Sequence, residues 1–306
     1  MQRRFKDYLT ISLKGLAMGA ADAVPGVSGG TIAFISGIYE ELVSTISNIN
    51  ASLFKTLFNK GIKPFWEQAN ANFVLALLSG IIISYVSFMK LAKFLLENHP
   101  VLIWSFFFGL IIASIYFVGK QITKWNLPVI IAFLIGTGIA FYITMLPAQA
   151  NNDSNSFLFI AGAIAICAMI LPGISGSFIL IILGAYKTLS DAIHDVDIKK
   201  IIIFIAGAVI GLLSFSHVLK WLFKNYHNIT LALLTGFILG SLNKVWPWKE
   251  TLTWHTDSKG IKSPLLQESV SPFSFQGDNQ LVFAIILVVL GFLTIFILEK
   301  VGSKKQ

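Results

Sequence analysis

Two short clusters of proline, glycine and hydroxyl residues interrupt an otherwise apolar chain. The first reads DAVPGVSGGT over residues 22–31, and the second reads LPGISGS over residues 171–177. Proline lacks a backbone N–H and disfavours helix in the residue before it, so a helix is expected to end at each cluster. The residues that follow can begin a second helix, whose first N–H groups have no partner within that helix. A helix start of this kind, with a positive dipole end and nearby hydroxyls, is suited to bind an anion.

We therefore predict one anion site built from both clusters. Binding of an anionic head group is assigned to the hydroxyls and amides of Ser28, Gly29, Gly30, Thr31, Ser175, Gly176 and Ser177. Breaking of the helices is assigned to Pro25, Gly26, Pro172 and Gly173. The alternative is that both clusters are kinks that let helices pack closely, as small residues often do in membranes. We favour binding because packing alone rarely needs two matched copies, and we predict no catalytic residue, metal ligand or cofactor.

Asp22 lies three residues before Pro25, at a position where the second cluster has Met169. An ionisable residue inside a membrane segment is a candidate functional group. Asp22 either carries a coupling proton or forms an ion pair with Lys14, two helical turns earlier. The sequence leaves both possibilities open.

The composition places the chain in a membrane. Its 306 residues are 55% hydrophobic and only 12% charged. Six apolar stretches are each long enough to cross a hydrocarbon core of about 30 Å. They run over residues 73–96, 101–119, 127–147, 201–222, 228–246 and 281–299. The net charge of +8 comes from basic residues at the ends of these stretches, where they orient helices and contact lipid head groups. The bilayer is therefore the expected partner, and nucleic acid is not.

The two halves of the chain repeat one pattern. Setting Pro25 on Pro172 matches further residues of the two clusters and the turns after them, including Gly37 with Gly184, Tyr39 with Tyr186 and Leu42 with Leu189. The first unit spans residues 1–147 and begins with an interrupted region at 9–46. The second spans residues 157–306 and begins with an interrupted region at 157–190. The two tyrosines lie at the ends of these regions, where aromatic residues commonly anchor a protein at the membrane interface.

Each interrupted region is predicted to be a re-entrant helical hairpin. After the first cluster only residues 31–39 are apolar, and nine helical residues reach about 14 Å, roughly half of the hydrocarbon core. With a cytoplasmic N-terminus, re-entry also leaves more of the first unit's lysines on the inner face. Each unit then crosses three times, and an odd number inserts the second unit upside down. The predicted fold is an all-α polytopic membrane protein, an inverted repeat of two units, each a re-entrant hairpin plus three transmembrane helices, with both termini cytoplasmic.

Residues 26–30 also fit the G-x-S-x-G pattern of a hydrolase nucleophile, although the strand that this pattern requires is missing. An intramembrane serine hydrolase would need His217 as its base. Both Ser28 and Ser175 would qualify as its nucleophile, and one base does not need two nucleophiles. We therefore rank this function below transport.

The motif residues resemble a bacterial membrane family associated with polyprenyl-phosphate transport, the undecaprenyl phosphate translocases. The resemblance rests on residues 23–31 with Gly37, Tyr39 and Glu40, and on residues 171–177. It implies a flippase that returns undecaprenyl phosphate, the lipid carrier of cell-wall synthesis, from the outer to the inner leaflet of the bacterial cytoplasmic membrane. The residues themselves indicate only an anion held between two hairpins, so a transporter or channel for a small soluble anion remains the alternative.

Overall fold

The computed structural model describes residues 3–23, 28–147, 149, 152–256 and 262–303. Within these ranges the first half contains α1 (Phe5–Asp22), α2 (Gly29–Ile35), α3 (Tyr39–Ser47), α4 (Ala51–Lys60), α5 (Ile62–Gln68), α6 (Ala71–Asn98), α7 (Pro100–Gly119) and α8 (Leu127–Met145). The second half contains α9 (Asn155–Ile170), α10 (Gly176–Ile182), α11 (Tyr186–His194), α12 (Ile198–Asn225), α13 (His227–Gly240), a 3-10 helix (Ser241–Val245) and α14 (Leu281–Ser303). A helical, multi-pass membrane fold is thereby confirmed.

Five helices within the described ranges are long and apolar enough to cross a membrane: α6, α7, α8, α12, and α13 with its 3-10 extension. They correspond to the first five predicted spans, with ends that differ by a few residues. The sixth predicted span is α14, which is apolar through Ile297. The pair α10 and α11 bends by 108° at its break, so it is either one broken span or a re-entrant loop.

Both interrupted regions contain the same turn. Gly37 follows α2 with a φ of +72°, and Gly184 follows α10 with a φ of +71°. This left-handed conformation costs glycine little and strains other residues. In each turn the next residue's N–H donates back to the preceding helix, from Ile38 to the carbonyl of Ala33 and from Ala185 to that of Leu180. The sequence match between the two regions is therefore also a match of backbone geometry.

The most extensive helix contacts pair α1 with α6, α9 with α12, α8 with α13, and α7 with α14. Each of the first two pairs lies within one half of the chain, and each of the last two joins the two halves. Glycines allow these close approaches, because a Cβ on Gly109 would collide with the carbonyl of Val288, and one on Gly236 with the carbonyl of Phe133. The hydrophobic core likewise draws on both halves, with Phe73, Ile111 and Leu231 fully buried in it.

Two segments that lie between the predicted apolar regions contain regular structure. Residues 48–72 hold α4 and α5, and Asn50 caps α4 by accepting from the N–H groups of Ser52 and Leu53. Residues 247–280 hold a two-stranded antiparallel sheet of β1 (Lys249–Thr256) and β2 (Lys262–Ser269). The sequence did not predict the sheet, which lies between the 3-10 helix and α14 along the chain.

Candidate functional site

The first tip, residues 28–31, is buried and hydrogen-bonded within the protein. Ser28 caps α2, and its Oγ accepts from the N–H of Gly30 at 3.1 Å. The N–H of Gly29 donates to Oδ1 of Asp22 at 2.7 Å. A carboxylate of the chain therefore already occupies the start of α2, where an anion is favoured.

Lys14 is not the partner of Asp22. Its Nζ donates to the carbonyl oxygen of Ser36 at 2.6 Å. The predicted alternative of an Asp22–Lys14 ion pair is wrong, because α1 directs the lysine towards the end of α2 and the carboxylate towards its start. Sequence reasoning also missed the capping role of Asp22. In the sequence, this capping role is indicated by an acidic residue a few positions before a glycine-rich helix start.

The two tips lie against each other, as the matched clusters predicted. The N–H of Gly173 donates to Oγ1 of Thr31 at 2.8 Å. The hydroxyl of Ser28 points at the carbonyl oxygens of Met169 and Leu171, at 3.4 and 3.5 Å. A Cβ on Gly30 would come within 2.7 Å of the carbonyl oxygen of Ile170. The first tip is thus held on the backbone just before and within the second cluster.

The second tip, residues 175–177, is more open than the first. Ser175 is 9% exposed, and Ser177 is exposed. Their hydroxyl oxygens lie 2.9 Å apart. Among the described residues no hydrogen-bond partner is found for the N–H of Gly176 or Ser177. Met169, which replaces Asp22 in this half, has no carboxylate to offer them.

The helix-breaking residues are described in the second half only. Pro172 is buried, and Gly173 has a φ of +83°, with the carbonyl oxygen of Phe237 2.7 Å from where its Cβ would be. Both features require glycine at position 173. Pro25 and Gly26 lie outside the described residues. Close packing therefore accounts for several of the glycines, but it does not account for the open hydroxyls of the second tip.

Tyr39 and Tyr186 occupy matching positions but different surroundings. Tyr39 is 1% exposed, and its ring lies 4.9 Å from that of Phe34 and 5.9 Å from that of Phe223 in α12. Tyr186 is 44% exposed. The prediction of an interfacial anchor is therefore wrong for Tyr39, because α3 packs on α12 of the other half and covers this ring. In the described residues α11 makes no comparable contact with α6.

In both halves the end of the interrupted region lies beside its beginning. The guanidinium of Arg3 donates two hydrogen bonds of 2.6 Å to the carboxylate of Glu41. In the second half, Oγ1 of Thr188 donates to Oδ1 of Asp153 at 2.6 Å. Thr188 is the residue that aligns with Glu41. In each half, a side-chain contact therefore joins the end of the interrupted region to the residues that precede its first helix.

The hydrolase geometry is not found in the described residues. His217 has its Nδ1 2.6 Å from the carbonyl oxygen of Leu213, while Ser28 and Ser175 contact backbone groups and Ser177. Within the same part of the chain, no group of three or more His, Cys, Asp or Glu residues could hold a metal ion.

Comparison with known proteins gives a family. The chain matches the family model described as undecaprenyl phosphate translocase-like over residues 18–263. A polyprenyl-phosphate transporter of Vibrio cholerae serotype O1 (strain ATCC 39315 / El Tor Inaba N16961) is 45% identical over 308 residues, which cover 99% of this chain and 100% of the relative. A polyprenyl-phosphate transporter of Staphylococcus aureus (strain NCTC 8325 / PS 47) is 32% identical over 253 residues, covering 77% of this chain and 85% of the relative.

No solved structure matches the chain. The family model spans most of the sequence, and the Vibrio relative aligns with nearly all of it. The chain therefore belongs to the undecaprenyl phosphate translocase-like family.

Proposed function

We propose that this protein is a flippase that carries a polyprenyl phosphate such as undecaprenyl phosphate from the outer to the inner leaflet of the bacterial cytoplasmic membrane. The names of both relatives support this substrate. The observation that carries the proposal is the contact of two matched tips, joined by the hydrogen bond from Gly173 to Thr31. At such a site the phosphate can be hydrogen-bonded by protein groups while its tail stays in lipid. Backbone polar groups at membrane depth need hydrogen-bond partners, and a bound phosphate can be one of them.

The helix contacts support an inverted repeat. Gly15 packs on the carbonyl of Leu77, and the aligned Gly162 packs on the carbonyl of Phe204. Helices α7 and α13 are equivalent, and so are α8 and α14. Helix α7 packs on α14, and α8 packs on α13, so each helix contacts the helix of the other half to which it is not equivalent. A two-fold relation between the units produces this exchange, and the odd number of crossings per unit makes it inverted.

Re-entry of both hairpins is supported by their tied ends. Arg3, before α1, pairs with Glu41 in α3, so the chain enters and leaves on one side of the first hairpin. Asp153 and Thr188 do the same for the second hairpin. The basic N-terminus then lies with α4 and α5 on the cytoplasmic face, and an even total of crossings returns the C-terminus to it.

The phosphate site we propose comprises the residues of both tips: Ser28, Gly29, Gly30, Thr31, Ser175, Gly176 and Ser177. The second tip supplies accessible hydroxyls, together with amides for which the described residues offer no hydrogen-bond partner. At the first tip Asp22 holds the position that a phosphate would take. We infer that protonation of Asp22 weakens its hold on the N–H of Gly29 and admits the phosphate, which couples transport to a proton.

Alternation between two states is supported by the unequal tyrosines. Burial of Tyr39 by α12 closes the side on which α3 lies, while exposure of Tyr186 leaves the side of α11 open. In the opposite state the two environments exchange, because the two halves share the same hairpin geometry. The described conformation is then open towards the outer leaflet.

Transport of a labelled short-chain polyprenyl phosphate into proteoliposomes tests the proposal. The double variant Ser28→Ala with Ser175→Ala should slow it at least about tenfold, since a hydrogen bond to a charged group contributes about 1.5–3 kcal/mol. Ser190→Ala, an exposed serine of α11, is the matched control. Unchanged transport in the double variant contradicts the site. Equal transport of inorganic phosphate would instead favour a carrier of small soluble anions.

The proton coupling has its own test. Asp22→Asn keeps an oxygen that accepts from Gly29 but cannot ionise. Transport by this variant should lose the pH dependence that the wild-type protein shows across an imposed pH gradient. A pH dependence that survives in Asp22→Asn would contradict the coupling role.

A further inference from the structure

Two lysines next to the second tip are placed unlike ordinary surface lysines. Lys244 lies in the 3-10 helix after α13, and its Nζ is 4.0 Å from the centroid of the Phe178 ring. Lys249 begins β1, and its Nζ is 3.6 Å from the centroid of the Trp104 ring. The same Nζ donates to the backbone carbonyl of Lys244 at 2.9 Å. Both side chains thus turn inward onto aromatic rings.

The charges of these two lysines are poorly compensated. Among the described residues no carboxylate forms an ion pair with either ammonium group. Burial, and then the positive charge of Lys244, lower the pKa of Lys249 well below its ordinary value. Contact with an aromatic face offsets only part of the cost of removing an ammonium group from water. An anion bound between the two lysines would offset both effects and favour their protonated, positively charged forms.

The chemistry of the site selects the anion. A phosphate monoester carries a charge of about −1.5 to −2 near neutral pH, so when bound it would favour the protonated form of both lysines and pair with them. The rings of Phe178 and Trp104, against which the two Nζ atoms lie, provide an apolar surface beside the lysines. Such a combination suits a head group that arrives with a lipid tail more than it suits a free ion.

We propose that Lys244 and Lys249 form an outer docking site that binds the phosphate of a lipid phosphate monoester before it reaches the tips. The proposal rests on the function proposed above and adds a binding step to it. Phe178, which contacts Lys244, directly follows Ser177 in α10, so the docking site adjoins the open tip. Release of the phosphate from the lysines to the tip would then require only a short displacement.

Equilibrium binding of radiolabelled farnesyl phosphate to the purified full-length protein tests the docking site. Lys244→Met and Lys249→Met remove a charge and keep a long apolar side chain. Each should weaken binding at least about tenfold, the loss expected when a charged hydrogen bond is removed. Lys199→Met, at an exposed position near the start of α12, is the matched control and should bind as the wild-type protein does.

Thermal unfolding without ligand provides a second readout. Replacing a buried, unpaired charge by an apolar group should leave the Tm unchanged or raise it. Tight binding together with a retained Tm in both lysine variants overturns the docking site. A fall in Tm combined with lost binding also overturns it, because the lysines would then be structural.

Competitors identify the ligand. Farnesol, which has the same tail and no phosphate, and inorganic phosphate should both compete at least about tenfold more weakly than unlabelled farnesyl phosphate. Equal competition by farnesol overturns phosphate recognition, and equal competition by inorganic phosphate overturns the lipid source. Absence of binding and transport in the wild-type protein overturns the proposed function as well. Normal wild-type transport with unaltered lysine variants overturns the docking site alone.

Discussion

Tyr39 and Tyr186 are equivalent in sequence but opposite in burial, so the same substitution should have very different effects at the two positions. Removing a buried aromatic ring costs about 3–5 kcal/mol. In Tyr39→Ala this cost falls on the described conformation, where the ring is 1% exposed between Phe34 and Phe223. Since about 1.4 kcal/mol is a factor of ten, a loss of about 3 kcal/mol shifts the closed-to-open ratio of that side roughly 100-fold.

Cysteine reactivity measures this shift. Cys167 is the sole cysteine of the chain, so Cys167→Ser provides a background into which Ser47→Cys, at a position 2% exposed in α3, is introduced. Modification by an impermeant maleimide in inside-out vesicles should accelerate up to about 100-fold in Tyr39→Ala. Tyr186→Ala should leave the rate within a few-fold, because that ring is already 44% exposed.

A third variant separates the ring from its hydroxyl. The Tyr39 hydroxyl is buried and has no partner among the described residues. Tyr39→Phe should therefore leave the reactivity of the Ser47→Cys reporter unchanged or lower it, since an unpaired buried hydroxyl costs about 1–3 kcal/mol. Equal acceleration by Tyr39→Ala and Tyr186→Ala, in proteins that remain folded, would refute the assignment of a closed inner side.

Two further predictions concern stability. In α8, Gly136→Ala should lower the Tm because its Cβ would collide with the carbonyl of Leu233. At Gly138 no atom of the described residues lies within 4 Å of the added Cβ, so Gly138→Ala should leave the Tm unchanged or raise it. Equal effects of the two variants in thermal unfolding would contradict the close helix contact. Burial opposes ionisation of Glu41, but hydrogen bonds, first from Arg3, outweigh it and lower the pKa of Glu41. The resulting stabilisation is present above the ordinary glutamate pKa of about 4.3 and is lost as pH falls through the lowered value. Glu41→Gln should cost less than about 1 kcal/mol at neutral pH, since the pair is partly exposed, and this difference from wild type in Tm should vanish in acid.

Local signals in the sequence were enough to predict the helices, while the repeat of the two clusters led to the expectation that their tips meet. Proline and glycine determine where a helix ends, and the apolar length determines whether it can span a membrane. The turns at Gly37 and Gly184 have one geometry because they have one sequence pattern. The helix ends and the turns depend on residues that are neighbours in the chain, which is why the sequence indicated them.

Features that depend on distant partners were missed. Lys14 contacts the Ser36 carbonyl instead of Asp22 because the direction of α1 against α2 decides which group each side chain reaches. The burial of Tyr39 depends on α12, which belongs to the other half of the chain. The aligned positions do not by themselves distinguish Tyr39 from Tyr186, because the helix that covers Tyr39 is distant in the sequence.

The exchange of partners between the halves also constrains how the protein is made. Helices α7 and α8 find their main packing partners in α14 and α13, which leave the ribosome much later. Until then the glycine faces of Gly109 and Gly136 lack the helices on which they pack. The first half therefore cannot complete its packing during its own synthesis, and assembly of the bundle must wait for the last helix to enter the membrane.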